Sequence, residues 1–325
     1  MRFYTLVLMS FGISGRIRPQ YLVRDRAVLT GNAQRMPDRI GIRVSDPVSG
    51  TPFEVTVFCY PGRSGGRQLL AVHGFRGDHH GLELVVDGLA DYTVWVPDLP
   101  GFGASPAMPD AEHTVEHYAD VMNQLAQHLD SPVLLGHSFG TVIAAYAAAT
   151  QAFTYRHLVM LNPIARPALE ADSRLDRAAT AVTDGFYQIC AALPVRLGRR
   201  LLSNKCIVWA TGAFLTKTDD PRVLAYTHDQ HQAYFSAFDS PQALVQAYRS
   251  SIHHTVDDVA LLLKLPVTII GGAQDELASA EDLSGLADCI GTVNGDVETY
   301  ILQRTGHLLH YERSAAVAAM INWRI

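Results

Sequence analysis

Leu134, Leu135, Gly136, His137, Ser138, Phe139, Gly140 and Thr141 set a serine between two glycines, where an apolar run gives way to an Ala-rich, helix-like segment. A hydroxyl in such a strand-to-helix turn stands out above a sheet. The flanking glycines are needed because the turn is tight and strand and helix approach closely. Serine is a weak nucleophile near neutral pH. It needs an imidazole to take its proton and a carboxylate to orient and stabilise that imidazole. Gly62, Arg63, Ser64, Gly65 and Gly66 repeat the same G-x-S-x-G spacing, but they join one strand-like run to another. With no helix following, Ser64 lacks the setting, and Ser138 is the candidate nucleophile.

The chain has 14 histidines that could serve as the base. His307 lies in Thr305, Gly306, His307, Leu308, Leu309, His310, Tyr311, Glu312, between the last strand-like run and the last helix-like one. Strand ends of a parallel sheet gather on one edge, so this loop can reach Ser138. The acid should follow a strand between those two in sequence, and Gly271, Gly272, Ala273, Gln274, Asp275, Glu276 does so directly. Asp275 is the candidate and Glu276 the fallback, since neighbouring side chains point in different directions. The preceding strand ends in Asn162, which is not an acid.

These residues need a scaffold whose strands alternate with helices. Ile40 to Ser45 and Phe53 to Tyr60 predict a hairpin about the turn-forming stretch 46–50. Strands follow at Gln68 to His73, Tyr92 to Pro97, Pro132 to Gly136 and His157 to Leu161. Helices are expected at Gly81 to Ala90, Thr114 to Leu129 and Phe139 to Thr150. The rhythm stops at Asn162 and Pro163, then resumes with strands at Pro266 to Gly271 and Val297 to Leu302 and a helix from Tyr311 to Trp323. This predicts an α/β fold with a mostly parallel sheet flanked by helices. Residues 1–162 and 265–325 form the core, and 163–264 are an all-helical insertion.

Composition narrows the function. At 325 residues, 48% hydrophobic and 18% charged, with a net charge of −6, the chain is globular and carries no basic excess for nucleic acid. Cys59, Cys190, Cys206 and Cys289 are scattered, without a zinc-thiolate or disulfide pattern. No apolar run has the length of a membrane span, and the N-terminal stretch MRFYTLVLMSFGISG is only faintly signal-like. A cytoplasmic protein is expected.

Further motifs extend the set. His73, Gly74, Phe75, Arg76, Gly77 and Asp98, Leu99, Pro100, Gly101, Phe102, Gly103, Ala104, Ser105 follow two of the expected strands. From residue 40 to the C-terminus, the chain resembles an α/β-hydrolase-fold serine hydrolase with a helical cap: an H-G-x loop, a D-x-x-G-x-G-x-S loop, the serine elbow and the G-H segment occur in order. The resemblance implies that the backbone N–H groups of Phe75 and Phe139 form an oxyanion hole, and that no metal or cofactor is needed. It implies hydrolysis of a carboxylic ester or related acyl bond by Ser138, His307 and Asp275. Carbon–carbon bond hydrolases, cofactor-free peroxidase-like enzymes and non-catalytic small-molecule receptors share the fold. Epoxide hydrolases and haloalkane dehalogenases use an aspartate where this chain has Ser138.

Other chemical readings are weaker. His113, Thr114, Val115, Glu116, His117 fits the H-x-x-E-H metalloprotease pattern but coincides with an amphipathic helix, whose polar face explains it. His228 and His231, and His253 and His254, have no carboxylate or thiol cluster to complete a metal site. Phe186, Tyr187, Trp209, Phe214, Tyr226, Tyr234, Phe235, Phe238 and Tyr248 fill the insertion. Two or three of them should line a cavity above Ser138 and the rest should hold the insertion together. The expected substrate is therefore a small molecule with an apolar acyl or aromatic group.

Overall fold

The computed structural model describes residues 26–63, 66–166 and 174–325; the N-terminal stretch, Ser64 and Gly65 lie outside them. After a one-turn helix α1 (Ala27–Thr30), the strands are β1 (Asp38–Ser45), β2 (Pro52–Tyr60), β3 (Arg67–Val72), β4 (Tyr92–Pro97), β5 (Val133–His137), β6 (His157–Leu161), β7 (Val267–Gly272) and β8 (Val297–Leu302). They form one sheet in the order β1-β2-β4-β3-β5-β6-β7-β8. β2 pairs antiparallel with both neighbours, and every other pairing is parallel.

A parallel sheet is covered on both faces, so its central strands read as continuous apolar runs. β5 (VLLGH) and β6 (HLVML) are buried at every position. On one face, α3 (Val115–Ala126) and α4 (Phe139–Ala149) bury Tyr118, Met122, Val142 and Ile143. On the other, α2 (Glu83–Asp87) and α12 (Ser314–Arg324) bury Val85, Val86, Val317 and Ile321.

Between β6 and β7 the described residues form α5 (Arg174–Ala192), α6 (Val195–Leu202), α7 (Lys205–Leu215), α8 (Pro221–Tyr234) and α9 (Pro241–His253), then a 3-10 turn at Asp257–Leu262. Each of α7, α8 and α9 begins at a side-chain cap, Asn204, Asp220 and Ser240 respectively, whose oxygen accepts a backbone N–H of the first turn. The two latter helices carry Pro next, the favoured first residue.

Three helical segments differ from the sequence expectation. The segment expected as one helix over 81–90 is a 3-10 turn at His79–Leu82 followed by α2. The closing helix is broken at Arg313 into α11 (Leu309–Glu312) and α12. An additional helix, α10 (Ala280–Gly291), starts at a capping box made by Ser279 and Asp282.

Candidate active site

Ser138, Asp275, His307 and the loop of Phe75 each lie just past the C-terminal end of a parallel strand, the edge where open α/β sheets bind ligands. Ser138 follows β5 with φ 53° and ψ −123°, in the left-handed half of backbone space that a side-chain-bearing residue rarely adopts. Its neighbours make that turn possible. A Cβ on Gly140 would lie 2.3 Å from the Val72 carbonyl oxygen, and one on Gly136 would lie 2.4 Å from that of Gly140. The turn is fastened by the Ser138 N–H donating to Leu161 O at 3.0 Å and by Thr141 Oγ1 donating to Ser138 O at 2.6 Å.

The loop after β8 brings His307 to this hydroxyl. Ser138 Oγ and His307 Nε2 are 2.8 Å apart, and His307 Nδ1 lies 2.8 Å from Asp275 Oδ2 and 3.1 Å from Oδ1. The carboxylate can only accept from Nδ1, which leaves Nε2 as the acceptor facing the serine. The Asp275 side chain is fully buried and that of His307 is 3% exposed, so the pair works in a medium where charge is poorly screened by water. Glu276 points elsewhere, pairing with Lys217 at 2.7 Å.

Asn162 does what its sequence position did not disclose. With φ 46° and complete burial, it donates from Nδ2 to the carbonyls of His307 at 2.7 Å and Gly306 at 3.0 Å. Its Oδ1 accepts the Gly272 N–H at 2.7 Å. One side chain thus ties the end of β6 to the end of β7, which leads to Asp275, and to the loop that carries His307. Glu312 adds a further tie, accepting the N–H groups of Gly306 and Lys217.

Opposite them, the loop after β3 lies against the elbow: a Cβ on Gly74 would stand 3.3 Å from Ser138 Cβ. His73 braces this loop, donating from Nδ1 to Gly74 O and accepting the Leu99 N–H on Nε2. Burial lowers its pKa and keeps it neutral, as that pattern requires. Asp98 locks the adjacent loop by accepting the N–H groups of His79 and Ala104. The N–H of Phe139 opens α4, where first-turn donors lack intrahelical partners and the helix dipole is positive. The rings of Phe75 and Phe139 meet edge to face at 6.4 Å, and Tyr187 and Tyr248, stacked at 4.2 Å, pack on Phe75. Tyr187 and Tyr248 thus bring the β6–β7 segment onto Phe75, and Phe235 and Phe238 bring it onto Arg76 in the same loop. Trp209 is 39% exposed and Tyr226 packs on Tyr311 instead.

The metal readings do not assemble. His113 precedes the helix that begins at Val115, so it shares no helical face with His117; it bonds the Met108 N–H and the Gln246 side chain. His254 contacts Glu116 and Ser250, while His253 is exposed. Asp78, His79 and His80 could reach a common ion, yet each imidazole already has a carboxylate partner, Asp98 for His79 and Asp78 for His80. All four cysteines are free.

A family model described as the alpha/beta hydrolase family matches residues 69–320, and so spans most of the chain and the whole site. The chain belongs to the alpha/beta hydrolase family. The chain is 36% identical over 90 residues to the magnesium-chelatase 30 kDa subunit of Rhodobacter capsulatus, covering 27% of the chain and 32% of that protein. Over 92 residues it is 36% identical to 2-succinyl-6-hydroxy-2,4-cyclohexadiene-1-carboxylate synthase of Escherichia coli, covering 27% and 34%. The alignments thus span about a third of these relatives' lengths. A thermophilic esterase from Thermogutta terrifontis has the same fold, with a TM-score of 0.68 and 22% identity over 88% of this chain and 97% of the other. Among the described residues, no helix is long and apolar enough to cross a membrane.

Proposed function

We propose that this hydrolase cleaves a carboxylic ester or related acyl bond through an acyl-enzyme. Ser138 Oγ attacks the carbonyl carbon while its proton passes to His307 Nε2. Asp275, held against Nδ1, stabilises the imidazolium so formed. The negative charge developing on the carbonyl oxygen is met by the N–H groups of Phe75 and Phe139. Removing such a donor typically costs about 10² to 10³ in rate. The imidazolium then protonates the departing alcohol, and water attacks the acyl-enzyme by the same route in reverse. Every step is assigned to a residue of the chain, and the reading calls on no metal or cofactor.

The observation that carries this reading is the continuous line from Ser138 Oγ through His307 to Asp275, with 2.8 Å at both junctions. The helices within 163–264 serve as the cap, and Phe75, Phe139, Tyr187 and Tyr248 favour a small substrate with an apolar acyl or aromatic group. The experiment is labelling by a fluorophosphonate probe together with turnover of p-nitrophenyl esters of graded chain length. Ser138→Ala should abolish labelling and lower turnover by about 10⁴-fold or more. A folded wild type that resists the probe would point to a non-catalytic receptor. Carbon–carbon bond cleavage by the same three side chains is the second reading. Faster turnover of a vinylogous diketone than of any ester would select it.

A further inference from the structure

Arg76 follows Phe75 directly, has φ 63° and is 5% exposed. Its three hydrogen-bond partners among the described residues are all uncharged. Nη2 donates to Leu202 O at 2.7 Å, Nε to Phe235 O at 3.2 Å, and Nη1 to the Tyr187 hydroxyl at 3.0 Å. Leu202 is the last residue of α6, and Phe235 is the C-cap of α8. The last carbonyls of a helix have no intrahelical donor, and each helix end carries roughly half a negative elementary charge. One guanidinium fork therefore meets two helix C-termini whose combined partial charge is about its own, which accounts for a buried cation whose partners among the described residues are neutral. Its Cζ also lies 5.0 Å from the centre of the Phe235 ring. Through Arg76, the loop bearing the Phe75 N–H is fastened to α5, α6 and α8 at once. The contact continues alongside, where Gly103 N donates to Ala237 O and Asp239 N to Gly101 O.

We propose that Arg76 is a positioning residue that couples the seating of the cap helices to the aim of the Phe75 N–H, so that the oxyanion donor is in place only when the cap is down. This rests on the acyl-transfer reading above. A donor that acts on the developing oxyanion contributes to the transition state and little to ground-state binding.

Arg76→Lys keeps the charge but not the fork, and Tyr187→Phe deletes one acceptor with little risk to folding. Both are compared with the wild type in kcat and KM on a p-nitrophenyl ester, and in affinity for an aryl trifluoromethyl ketone, which forms the tetrahedral oxyanion, against the product carboxylate. Arg76→Lys is expected to lower kcat about tenfold and ketone affinity by the same factor, with KM and product affinity within twofold. Tyr187→Phe should show about threefold in the same direction, and it decides the matter if Arg76→Lys does not fold. Unchanged ketone affinity in folded variants, or a loss falling on KM and product affinity alone, would overturn the coupling while leaving Ser138 chemistry intact. A wild type that neither turns over the ester nor labels with a fluorophosphonate would overturn both readings together.

Discussion

At the sheet edge, Asn162 uses both its amide oxygen and its amide nitrogen, Asp98 accepts from two backbone N–H groups, and His73 donates and accepts at once. Helix α8 is built differently. Tyr226 Oη, His228 Nδ1, Asp229 Oδ2, Gln230 Oε1 and His231 Nδ1 are buried without a hydrogen-bond partner among the described residues, and aromatic contacts such as Tyr226 on Tyr311 and His231 on Phe235 hold the helix. A buried polar network is worth most when complete, and a lone buried polar atom is a cost. The edge is therefore fixed by overlapping polar ties and tolerates no lost partner. The helix depends on shape and tolerates exchange.

The sharpest break of this contrast lies at the carboxylate. Asp275→Asn should lower kcat by about 10⁴-fold, because the amide no longer enforces the Nδ1–H tautomer, with the melting temperature little changed. Glu276→Gln should leave kcat near the wild-type value. The reverse outcome would move the acid one residue along.

Acid should expose both regions together. Burial pushes His137, behind the elbow, down to about 3, and does the same to His231 in α8. The unfolded forms, with an ordinary pKa near 6.5, bind protons that the folded forms refuse. Stability is thus fully present above about pH 6.5 and is lost as the pH falls towards 3. In the middle of that window the loss is roughly 1.4 kcal/mol per pH unit for each histidine. Urea unfolding at stepped pH measures the slope, and His231→Phe should remove one histidine's share. A slope unaltered by that change would mean that His231 titrates normally.

Asn162→Ala should cost about 1–3 kcal/mol in urea unfolding, since it strands the Gly306 carbonyl and the Gly272 N–H and leaves the His307 carbonyl only the His137 ring. It should also lower kcat by up to about 100-fold by loosening the His307 loop. A stability loss with unaltered kcat would show that the loop is held by Glu312 instead. The smallest effect belongs to α8. Tyr226→Phe removes an orphaned hydroxyl and should shift stability by less than about 0.5 kcal/mol or raise it. A loss beyond 1 kcal/mol would reveal a hidden partner.

The same division governs what could be read from sequence. Ser138 was legible because its signal is local: two glycines, a strand before and a helix after. His307 and Asp275 were legible because parallel strands end together, so position after a strand stood in for position in space. The roles of Asn162 and Arg76 were not, because each comes from loops or helices converging from distant parts of the chain, and no spacing rule encodes that. Helix α10 carried a readable start at Ser279 and Asp282, diluted by Gly285 and Gly291 within its length. The helix expected over 81–90 was shortened because the Asp78 side chain caps a 3-10 turn first.

β6 and β7 lie side by side in the sheet although about a hundred residues intervene between them. For a flexible connection, chain-closure entropy grows only with the logarithm of length, so this detour costs about 3 kcal/mol more than a five-residue link would. The growth of that penalty is so slow that lengthening or shortening the intervening stretch by a whole helix would barely alter the equilibrium. Kinetically the detour is felt more, since a pairing between strands so far apart in sequence comes late. The hydroxyl and the acid thus sit on opposite sides of the sheet's longest-range strand pairing, and catalytic competence should be among the last properties recovered during refolding.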